Sequence, residues 1–359
     1  MDLTALMRDV ILSESPDLHL QVGQPPVIRL KTGFLSTLEY PPLTEADIRG
    51  MIAQITSEDQ KKRFAENHEL DFSHHVGELS RFRVNIYEER NGPAIAFRVI
   101  SEKIPGFEEL GLTETIGKFT TLPHGLVLVT GTTCRGKTTT LASIVNSINQ
   151  TQRRHIITIE DPIEFVYPKG QSLVTQREVN VHTHTFANAI RSALRQDPDV
   201  VMVGEMRDLE TIAAAITLAE TGHLVFSTLH TSDAAQTVDR IIDVFPPYQQ
   251  QQIRAQLAGT LKGVVSQVLI PRADGQGRVA AREVMVVNDA IRNCIAKGET
   301  HQIYSMIQLG ASEGMVLLDQ HLLELVRQGF ITPEEGLSKA DDIETFQGQL
   351  NAILQPAYA

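Results

Sequence analysis

The sequence predicts an α/β protein, and three observations lead to that prediction. Short apolar strands alternate with helical stretches from about residue 110 onward, which is typical of a mostly parallel sheet. The stretch from Gly125 to Thr140 joins such a strand to such a helix through a glycine-containing loop. The first hundred residues carry strands and a hairpin signal of their own, so we expect a separate α/β domain there.

Composition and length limit the classes that this chain can belong to. The 359 residues are enough for two or more domains, and 42% hydrophobic with 21% charged residues is typical of a soluble globular protein. No apolar run reaches about 18 residues and the acidic start lacks a signal-peptide layout, so we expect no membrane insertion. A net charge of −12 disfavours nucleic acid as the main partner. Cys134 and Cys294 form no C-x-x-C pair, so we expect a reducing cytoplasm.

The first domain is expected to span residues 1–105. Two of its strands flank Asn91-Gly92, a dipeptide that is typical of two-residue hairpin turns. A linker containing Pro105 and Gly106 leads into the next domain. The expected elements are strands at 17–20 and 27–31, a polar helix from about 44 to 67, and hairpin strands at 81–87 and 94–100.

The second domain is expected to span residues 106–287, followed by a helical region at 288–359. Three of its strands end in polar, chemically capable residues, namely Glu160-Asp161, Glu205 and His230. Open α/β sheets bind ligands at the carboxyl edge of their strands, so these side chains mark the expected ligand edge. The expected strands are 126–129, 156–159, 200–203 and 224–229.

The loop after the first of these strands matches G-x-x-x-x-G-K-[ST]. Backbone N–H groups of such a loop and of the following helix point at a polyphosphate. We expect the Lys137 ammonium to neutralise phosphate charge and the Thr138 hydroxyl to ligate Mg²⁺. The expected nucleotide contacts are Gly131, Thr132, Thr133, Cys134, Arg135, Gly136, Lys137, Thr138 and Thr139.

A nucleotide hydrolase must also activate a water molecule, and the strand ends supply acids for this task. Glu205 is our candidate for polarising the water. Glu160, Asp161 and Glu164 form a second acidic cluster that either orients Mg²⁺ and the water or caps helices.

Histidines near the last strand form a further set of candidates. His230 follows the strand and is expected to sense the terminal phosphate, whereas His223 precedes it and is expected to have a structural or subunit-contact role. The remaining histidines of interest resemble metal ligands only loosely, and they are His74, His75, His182 and His184.

The hairpin places arginines on its polar face. Phe82, Val84 and Ile86 alternate with polar residues that include Arg83, and Arg98 lies on the polar face of the second strand. With Asn91-Gly92 as the turn, Arg98 would pair with Asn85 and lie diagonally beside Arg83, about 7–8 Å away. Two guanidinium groups this close suit an anion between them, so we expect either arginine fingers or a solvated basic edge.

These motifs stand in longer strings that resemble the secretion-ATPase superfamily, and within it the retraction ATPases of type IV pili. The resemblance covers nearly the whole chain. It includes DLHL, GQPPVIRL and RFRVN in the first domain, GLVLVTG before the loop, ITIEDPIE as an "Asp box", LRQDPDVVMVGEMRDLET as an atypical Walker B motif and TGHLVFSTLHT as a "His box". AIRN at residues 290–293 resembles the start of the AIRNLIRE motif of retraction motors.

The resemblance implies a fold and a set of site residues. It implies a PAS-like first domain and a RecA-like P-loop ATPase core, assembled as a homo-hexamer that binds ATP and Mg²⁺. The roles that it implies are nucleotide and Mg²⁺ binding for Lys137 and Thr138, the catalytic glutamate for Glu205, Asp-box acids for Glu160 and Glu164, His-box histidines for His223 and His230, and arginine fingers for Arg83 and Arg98.

The resemblance also implies a biological role. The chain would be a cytoplasmic motor at the inner-membrane face that acts on a pilus platform protein and drives pilus retraction and twitching motility. A paralogous ATPase is a further partner that this family suggests. Direct membrane insertion and nucleic-acid binding are not expected.

Two departures from the family pattern bear on this expectation. The family loop usually reads GPTGSGK, and here Cys134 and Arg135 replace a glycine and a small residue. After AIRN the chain continues with Cys294-Ile-Ala-Lys instead of LIRE. The departures keep open a nucleotide-binding accessory subunit that hydrolyses little. A pilus-assembly or type II secretion ATPase is a further alternative, although such relatives usually carry an extra N-terminal domain and often a cysteine-rich zinc module.

Overall fold

A computed structural model describes residues 3–13, 15–30, 34–76, 80–100 and 103–354. The chain forms two compact units, one of residues 1–103 with 162–166 and one of residues 104–161 with 167–359. Both combine helices with a sheet, so the α/β prediction is confirmed. Among the described residues, no helix has both the length and the apolar content that a membrane crossing requires.

The first unit is built on a six-stranded antiparallel sheet of order β3-β2-β1-β6-β5-β4. Its core lies between one face of this sheet and the apolar sides of α1 and α2. Lys31, the last residue of a predicted strand, lies outside the described residues. The elements are α1 Leu3–Leu12, β1 Asp17–Leu20, β2 Val27–Arg29, β3 Leu35–Thr37, α2 Glu45–Ile55, α3 Glu58–Asn67, β4 Glu69–Val76, β5 Ser80–Glu89 and β6 Gly92–Ile100.

The single polar helix predicted between 44 and 67 is wrong, because the chain forms two helices there. The first helix, α2, ends at Ile55, and the Thr56 hydroxyl donates to the carbonyl of Ile52 at 2.6 Å. Ser57 then starts α3 through a capping box, in which its side chain accepts from the Gln60 N–H while the Gln60 side chain accepts from the Ser57 N–H. A reciprocal cap satisfies N–H groups that a helix start leaves without partners, so it starts a new helix here.

The predicted turn of the hairpin is also wrong by one residue. Glu89 pairs with Gly92, so Arg90 and Asn91 form the two-residue loop. Gly92 has φ +126°, and a Cβ there would lie 3.3 Å from the Val22 side chain. The glycine therefore serves a close approach at the start of β6 rather than the turn itself.

The second unit contains a seven-stranded sheet of order β13-β12-β7-β11-β10-β8-β9, parallel except for the edge strand β13. The strands β7, β8, β10 and β11 agree with the predicted ones. The elements are α4 Glu114–Lys118, β7 Gly125–Thr130, α5 Lys137–Thr151, β8 His155–Glu160, β9 Leu173–Glu178, α6 Phe186–Ala193, β10 Val200–Val203, α7 Leu209–Glu220, β11 Leu224–Leu229, α8 Ala234–Asp243, α9 Pro247–Thr260, β12 Leu261–Pro271, β13 Arg278–Val286, α10 Asp289–Lys297, α11 Ile303–Leu309, α12 Leu318–Arg327, α13 Pro333–Leu337 and α14 Ile343–Leu354.

Helices cover both faces of this sheet, as the continuous apolar runs of its strands require. Side chains of β7 alternate between two cores, with Leu126 and Leu128 on one face and Val127 and Val129 on the other. Helix α5 packs on the second face, and α6 to α9 pack on the first. This arrangement leaves the carboxyl edge of the parallel strands to the loops that follow them.

Residues 288–354 are mainly helical, and their helices pack within the second unit. In α10, Ile291, Cys294 and Ile295 are buried in the core that this helix shares with α9, whereas Ala296 and Lys297 are exposed. The departure from the AIRNLIRE motif therefore keeps an apolar buried side and changes the charge of the exposed side. Helices α12 and α14 form a smaller core with the outer parts of β12 and β13.

Candidate nucleotide site

The phosphate loop, residues 131–136, connects β7 to α5 at the carboxyl edge of the sheet. Gly131 has φ +142° and Gly136 has φ +77°, both in a backbone region that favours glycine. A Cβ on Gly131 would also lie 2.5 Å from the carbonyl oxygen of Gln267 on β12. The shape of the loop therefore requires a glycine at its first position, where the strand backbone comes close.

Lys137 is the first residue of α5 and its side chain turns back over the loop. Its Nζ donates to the carbonyl oxygens of Gly131 at 2.7 Å and of Thr132 at 3.1 Å. The residue is buried, so the ammonium lies within the loop rather than in open solvent. This location suits a positive charge that binds phosphate oxygens at a helix N-terminus.

The threonines of the motif differ in their surroundings. Thr132 is exposed, and its Oγ1 accepts from Arg135 Nε at 3.0 Å, while Thr133 is also exposed. Thr138 and Thr139, the second and third residues of α5, are half-buried. The Thr138 hydroxyl makes no hydrogen bond within the described part of the chain, which leaves its oxygen available to a cation.

The two unusual loop residues adopt conformations that explain why a glycine and a small residue are common there. Cys134 is exposed and has φ +62°, a left-handed conformation that costs a residue with a Cβ about 1–2 kcal/mol. Arg135 directs its guanidinium along the loop, where Nη1 donates to the carbonyl of Leu269 at 3.2 Å. The arginine thus ties the loop to the end of β12.

Two buried residues beside the loop were missed by sequence reasoning. Gln267, on β12, donates from Nε2 to the carbonyl of Arg135 at 2.6 Å and accepts from Thr140 Oγ1 at 3.0 Å. Arg282, its partner on β13, donates to Gln267 Oε1 at 3.4 Å. A glutamine inside the apolar run 261–270 was the available signal, but the pairing of β12 with β7 does not show in the local sequence.

Glu205 and His230 come together at the same edge of the sheet. Glu205 lies two residues beyond β10, and His230 directly follows the neighbouring strand β11. Glu205 Oε2 is 3.6 Å from His230 Nε2 and 2.8 Å from Arg207 Nε. His230 and Arg207 also line a cavity of about 520 Å³. The carboxylate is thus held between two nitrogen groups beside an open space.

The second acidic cluster is spread over two environments. Glu160, the last residue of β8, is buried, and its Oε1 accepts from Thr158 Oγ1 at 2.6 Å and from Gln176 Nε2 at 3.2 Å. Asp161 follows it and is exposed. Glu164 is half-buried and lies in the segment 162–166, which belongs to the first unit. The acids therefore differ in burial and in the unit to which they belong.

His223 lies at the opposite edge of the sheet from the phosphate loop. It precedes β11, and its Nδ1 is 3.1 Å from both the carbonyl of Leu218 and the hydroxyl of Thr221. The ring thus closes the turn between α7 and β11.

The histidines with a loose metal pattern occupy separate places in the two units. His74 and His75 lie on β4, and the His182 Nδ1 accepts from the N–H of Glu178 at 2.9 Å. Within the described ranges, no group of three or more His, Cys, Asp or Glu side chains is arranged to hold a metal ion.

The hairpin arginines lie directly opposite each other, not diagonally as predicted. Arg83 pairs with Arg98 because the turn begins one residue earlier than Asn91-Gly92. Each guanidinium has a carboxylate partner: Arg83 lies 2.6 Å from Asp71, and Arg98 lies 2.7 Å from Asp17. Asp17 also lies 3.4 Å from Arg29 of β2. The hairpin thus presents two adjacent guanidinium groups on the polar face of the first unit.

Comparisons with known proteins relate this geometry to a family. The profile of the type II/IV secretion system protein family matches residues 2–338. The type IV pilus retraction ATPase PilT of Pseudomonas aeruginosa is 47% identical over 346 residues, which are 96% of this chain and 100% of that protein. The type IV pilus ATPase PilU of the same organism is 38% identical, over 95% of this chain and 89% of that protein.

A solved structure agrees with these relatives. The crystal structure of the pilus retraction motor PilT with bound ADP superposes with a TM-score of 0.90 at 42% identity, covering 97% of this chain and 99% of that one. The second unit thus has the RecA-like ATPase fold, in which a phosphate loop follows a central parallel strand. The chain therefore belongs to the type II/IV secretion system protein family.

Proposed function

We propose that this chain is an ATP-hydrolysing motor that powers the retraction of type IV pili. The observation that carries the proposal is the phosphate loop with Lys137 turned into it, beside Glu205 and His230 at one sheet edge. The relative named as a pilus retraction ATPase aligns over nearly the whole chain, and the superposed motor was described with bound ADP. Both relationships support ATP as the ligand here.

ATP binding uses the loop and the start of α5. The Lys137 ammonium exchanges its two loop carbonyls for phosphate oxygens, while N–H groups at the helix start add further donors. The residues present fit a magnesium nucleotide, because Thr138 supplies a hydroxyl that has no hydrogen-bond partner among the described residues, and Glu160 lies at the end of β8. Magnesium, when bound, neutralises charge on the terminal phosphates.

Hydrolysis requires a polarised water, and Glu205 is the residue proposed for that task. Its carboxylate accepts the water proton, while Arg207 and His230 hold it at the sheet edge. General-base catalysis of this kind contributes a rate factor of about 10²–10⁴. His230 follows β11, which lies between β10 and β7 in the sheet, so it stands on the side of Glu205 that faces the strand before the phosphate loop. This position suits a sensor of the terminal phosphate.

Arg83 and Arg98 are proposed as arginine fingers. Two guanidinium groups side by side stabilise charge that develops on a transferred phosphoryl group. Replacing either with alanine is expected to lower kcat by at least about tenfold with little loss of ATP affinity. Arg49, which pairs with Glu45 on α2 and with Glu88 on β5, serves as the matched control, because its loss also removes an arginine that is paired with carboxylates in the first unit.

The working assembly in this proposal is a homo-hexameric ring at the cytoplasmic face of the inner membrane. Its mechanical partner is the pilus platform protein, and a paralogous ATPase is a candidate second subunit. The relative PilU supports that last partner, since both it and PilT are described from one organism. Complementation tests the role: the chain should restore pilus retraction in a strain that lacks its retraction ATPase, and Lys137→Ala should not.

The first experiment measures Mg²⁺-dependent phosphate release from ATP by the purified chain. Glu205→Gln should lower turnover at least about 10²-fold while ATP binding persists. Glu210→Gln is the matched control, because it also removes a carboxylate paired with an arginine, Arg191, but at the start of α7. Equal turnover in Glu205→Gln and the unmodified chain would contradict the assigned role.

A second candidate function is a nucleotide-binding accessory subunit with little hydrolysis of its own. The strained Cys134 backbone and the Arg135 side chain tied to β12 favour it, since both restrict how the loop adapts to phosphate. Bound ATP without turnover in the unmodified chain would support this alternative. Turnover restored by Cys134→Gly together with Arg135→Ser would assign the difference to these two residues.

A further inference from the structure

Gln267 of β12 holds the end of the phosphate loop and the start of α5 together. Its side-chain Nε2 donates to the carbonyl of Arg135 at 2.6 Å, and its Oε1 accepts from Thr140 Oγ1 at 3.0 Å. The residue is 4% exposed, so both bonds are shielded from water. A single amide thus spans the last part of the loop and the first turn of the helix.

The same residue also contacts both glycines of the loop. Its backbone carbonyl oxygen lies where a Cβ of Gly131 would be only 2.5 Å away, and its Nε2 lies 3.4 Å from a Cβ placed on Gly136. The strand backbone therefore supports the first residue of the loop, and the amide supports the last. A substitution of Gln267 therefore changes the side chain that contacts the end of the phosphate loop.

Arg282 fixes the orientation of the Gln267 amide. Its Nε donates to Gln267 Oε1 at 3.4 Å, and its two other nitrogens donate to the carbonyls of Gly111 at 3.1 Å and Leu110 at 2.8 Å. A guanidinium has donors only, so the amide oxygen must face it and the amide NH₂ must face the Arg135 carbonyl. Burial lowers the pKa of Arg282 to about 10, which keeps it charged near neutral pH.

We propose that Gln267 is a positioning residue that aims the phosphate loop for nucleotide binding. A trans peptide directs its N–H opposite its C=O, so holding the Arg135 carbonyl towards β12 directs the Gly136 N–H away from it. That N–H has no hydrogen-bond partner in the described part of the chain, which leaves it for a phosphate oxygen. The inference rests on the proposed function, because it requires the loop to bind phosphate.

A glutamine with a purely structural role would affect only the stability of the fold, whereas a positioning glutamine also affects nucleotide affinity. Two variants separate these two roles. Gln267→Glu keeps an oxygen acceptor for Thr140 and Arg282 but replaces the donor to Arg135 with a second oxygen, which the carbonyl repels. Gln267→Met removes donor and acceptor at similar size. Asn149→Ala is the matched control: it removes a buried amide, bonded to the carbonyl of Pro168 at 2.8 Å, at the far end of α5.

The test is ADP affinity by titration calorimetry, together with KM and kcat for ATP. Without the Gln267 donor, the Arg135 carbonyl is no longer held towards β12, so a smaller fraction of molecules has the loop conformation that binds nucleotide. The apparent dissociation constant rises by the same factor. We expect about tenfold weaker ADP binding and a tenfold higher KM for both Gln267 variants, which is about 1.4 kcal/mol. The kcat should stay within about twofold, because Glu205 and His230 keep their contacts. Asn149→Ala should bind ADP as the unmodified chain does.

Three results would overturn the inference. Unaltered ADP affinity in Gln267→Glu would show that the donor to the Arg135 carbonyl is not required. Equal losses of affinity in Asn149→Ala and Gln267→Met, with equal falls in Tm, would assign the effect to stability. Absence of ADP binding by the unmodified chain would contradict the proposed function, and the positioning role with it.

Discussion

Glu283, a buried carboxylate on β13, is expected to make the chain less stable as the pH rises towards 7. Its side chain is 4% exposed, and its Oε1 accepts from the N–H of Ala234 at the start of α8. Burial, opposed by the hydrogen bond from the Ala234 N–H and assisted by the charges of three nearby aspartates, raises the pKa of Glu283 to about 7; the aspartates are Asp233, Asp341 and Asp319. The folded chain therefore retains a proton that the unfolded chain has already released.

The sign and the size of the effect follow from that difference. A group with a higher pKa in the folded state binds more protons there, so the free energy of unfolding falls as pH rises between the two values. The ordinary value is 4.5 and the folded value about 7. Since each pH unit between them corresponds to about 1.4 kcal/mol, the loss is about 3–4 kcal/mol. It is absent below pH 4.5 and complete above pH 7.

Glu283→Gln removes the charge and keeps an oxygen acceptor for the Ala234 N–H. The variant should match the unmodified chain near pH 4 and exceed its free energy of unfolding by about 3–4 kcal/mol at pH 8. Urea unfolding followed by circular dichroism at both pH values measures this, and Tm should differ by about 2–4 °C per kcal/mol. Glu108→Gln, at an exposed site of the same unit, is the control. No gain at pH 8, or an equal gain at both pH values, would refute the reasoning.

Three further substitutions test other parts of the structure. Gly131→Ala should abolish ADP binding in calorimetry and cost about 1–3 kcal/mol of stability, because its Cβ would lie 2.5 Å from the Gln267 carbonyl; normal affinity would contradict this. Cys134→Gly should raise the free energy of unfolding by up to about 1 kcal/mol by relieving the left-handed backbone at φ +62°, and a lower Tm would count against it. Phe97→Ala should lower it by about 3–5 kcal/mol in urea unfolding, because Phe97 packs edge-on against Phe82 at 6.2 Å in the first core; a change under about 1 kcal/mol would show that this core repacks.

Features set by short segments were predictable from the sequence. The strand before the phosphate loop, the loop and its helix form one local motif, and the residues that follow β10 and β11 had to reach the same sheet edge because the strands are parallel. Glu205 and His230 therefore lie near each other as their positions suggested. The family was also recognisable, because its motifs are long and occur in order.

Features set by distant segments were not predictable in the same way. Gln267 reaches the loop from β12, 132 positions along the chain from Arg135, and only strand pairing brings the two together. The hairpin register failed for a related reason. Gly92 was predicted as a turn residue, but it lies at the start of β6 with φ +126°, where a Cβ would lie 3.3 Å from the Val22 side chain and 3.4 Å from the Glu45 side chain. The glycine therefore suggested a local turn, although the reason for a glycine there is the close approach of side chains that are distant in the sequence.

The polar face of the first sheet carries a row of charges that largely cancel. Across neighbouring strands the row contains Arg29, Asp17, Arg98, Arg83 and Asp71, three positive and two negative groups joined by ion pairs. To an anion that approaches from solution, such a row resembles one positive charge rather than three, and salt at 0.1 M screens even that charge beyond about 10 Å. In the proposed role of arginine fingers, Arg83 and Arg98 would therefore do little to draw a nucleotide from solution and would act on an anion already in contact. Loss of either aspartate would raise the net charge of the row from one to two positive charges, and the added attraction for an anion would weaken as the salt concentration rises.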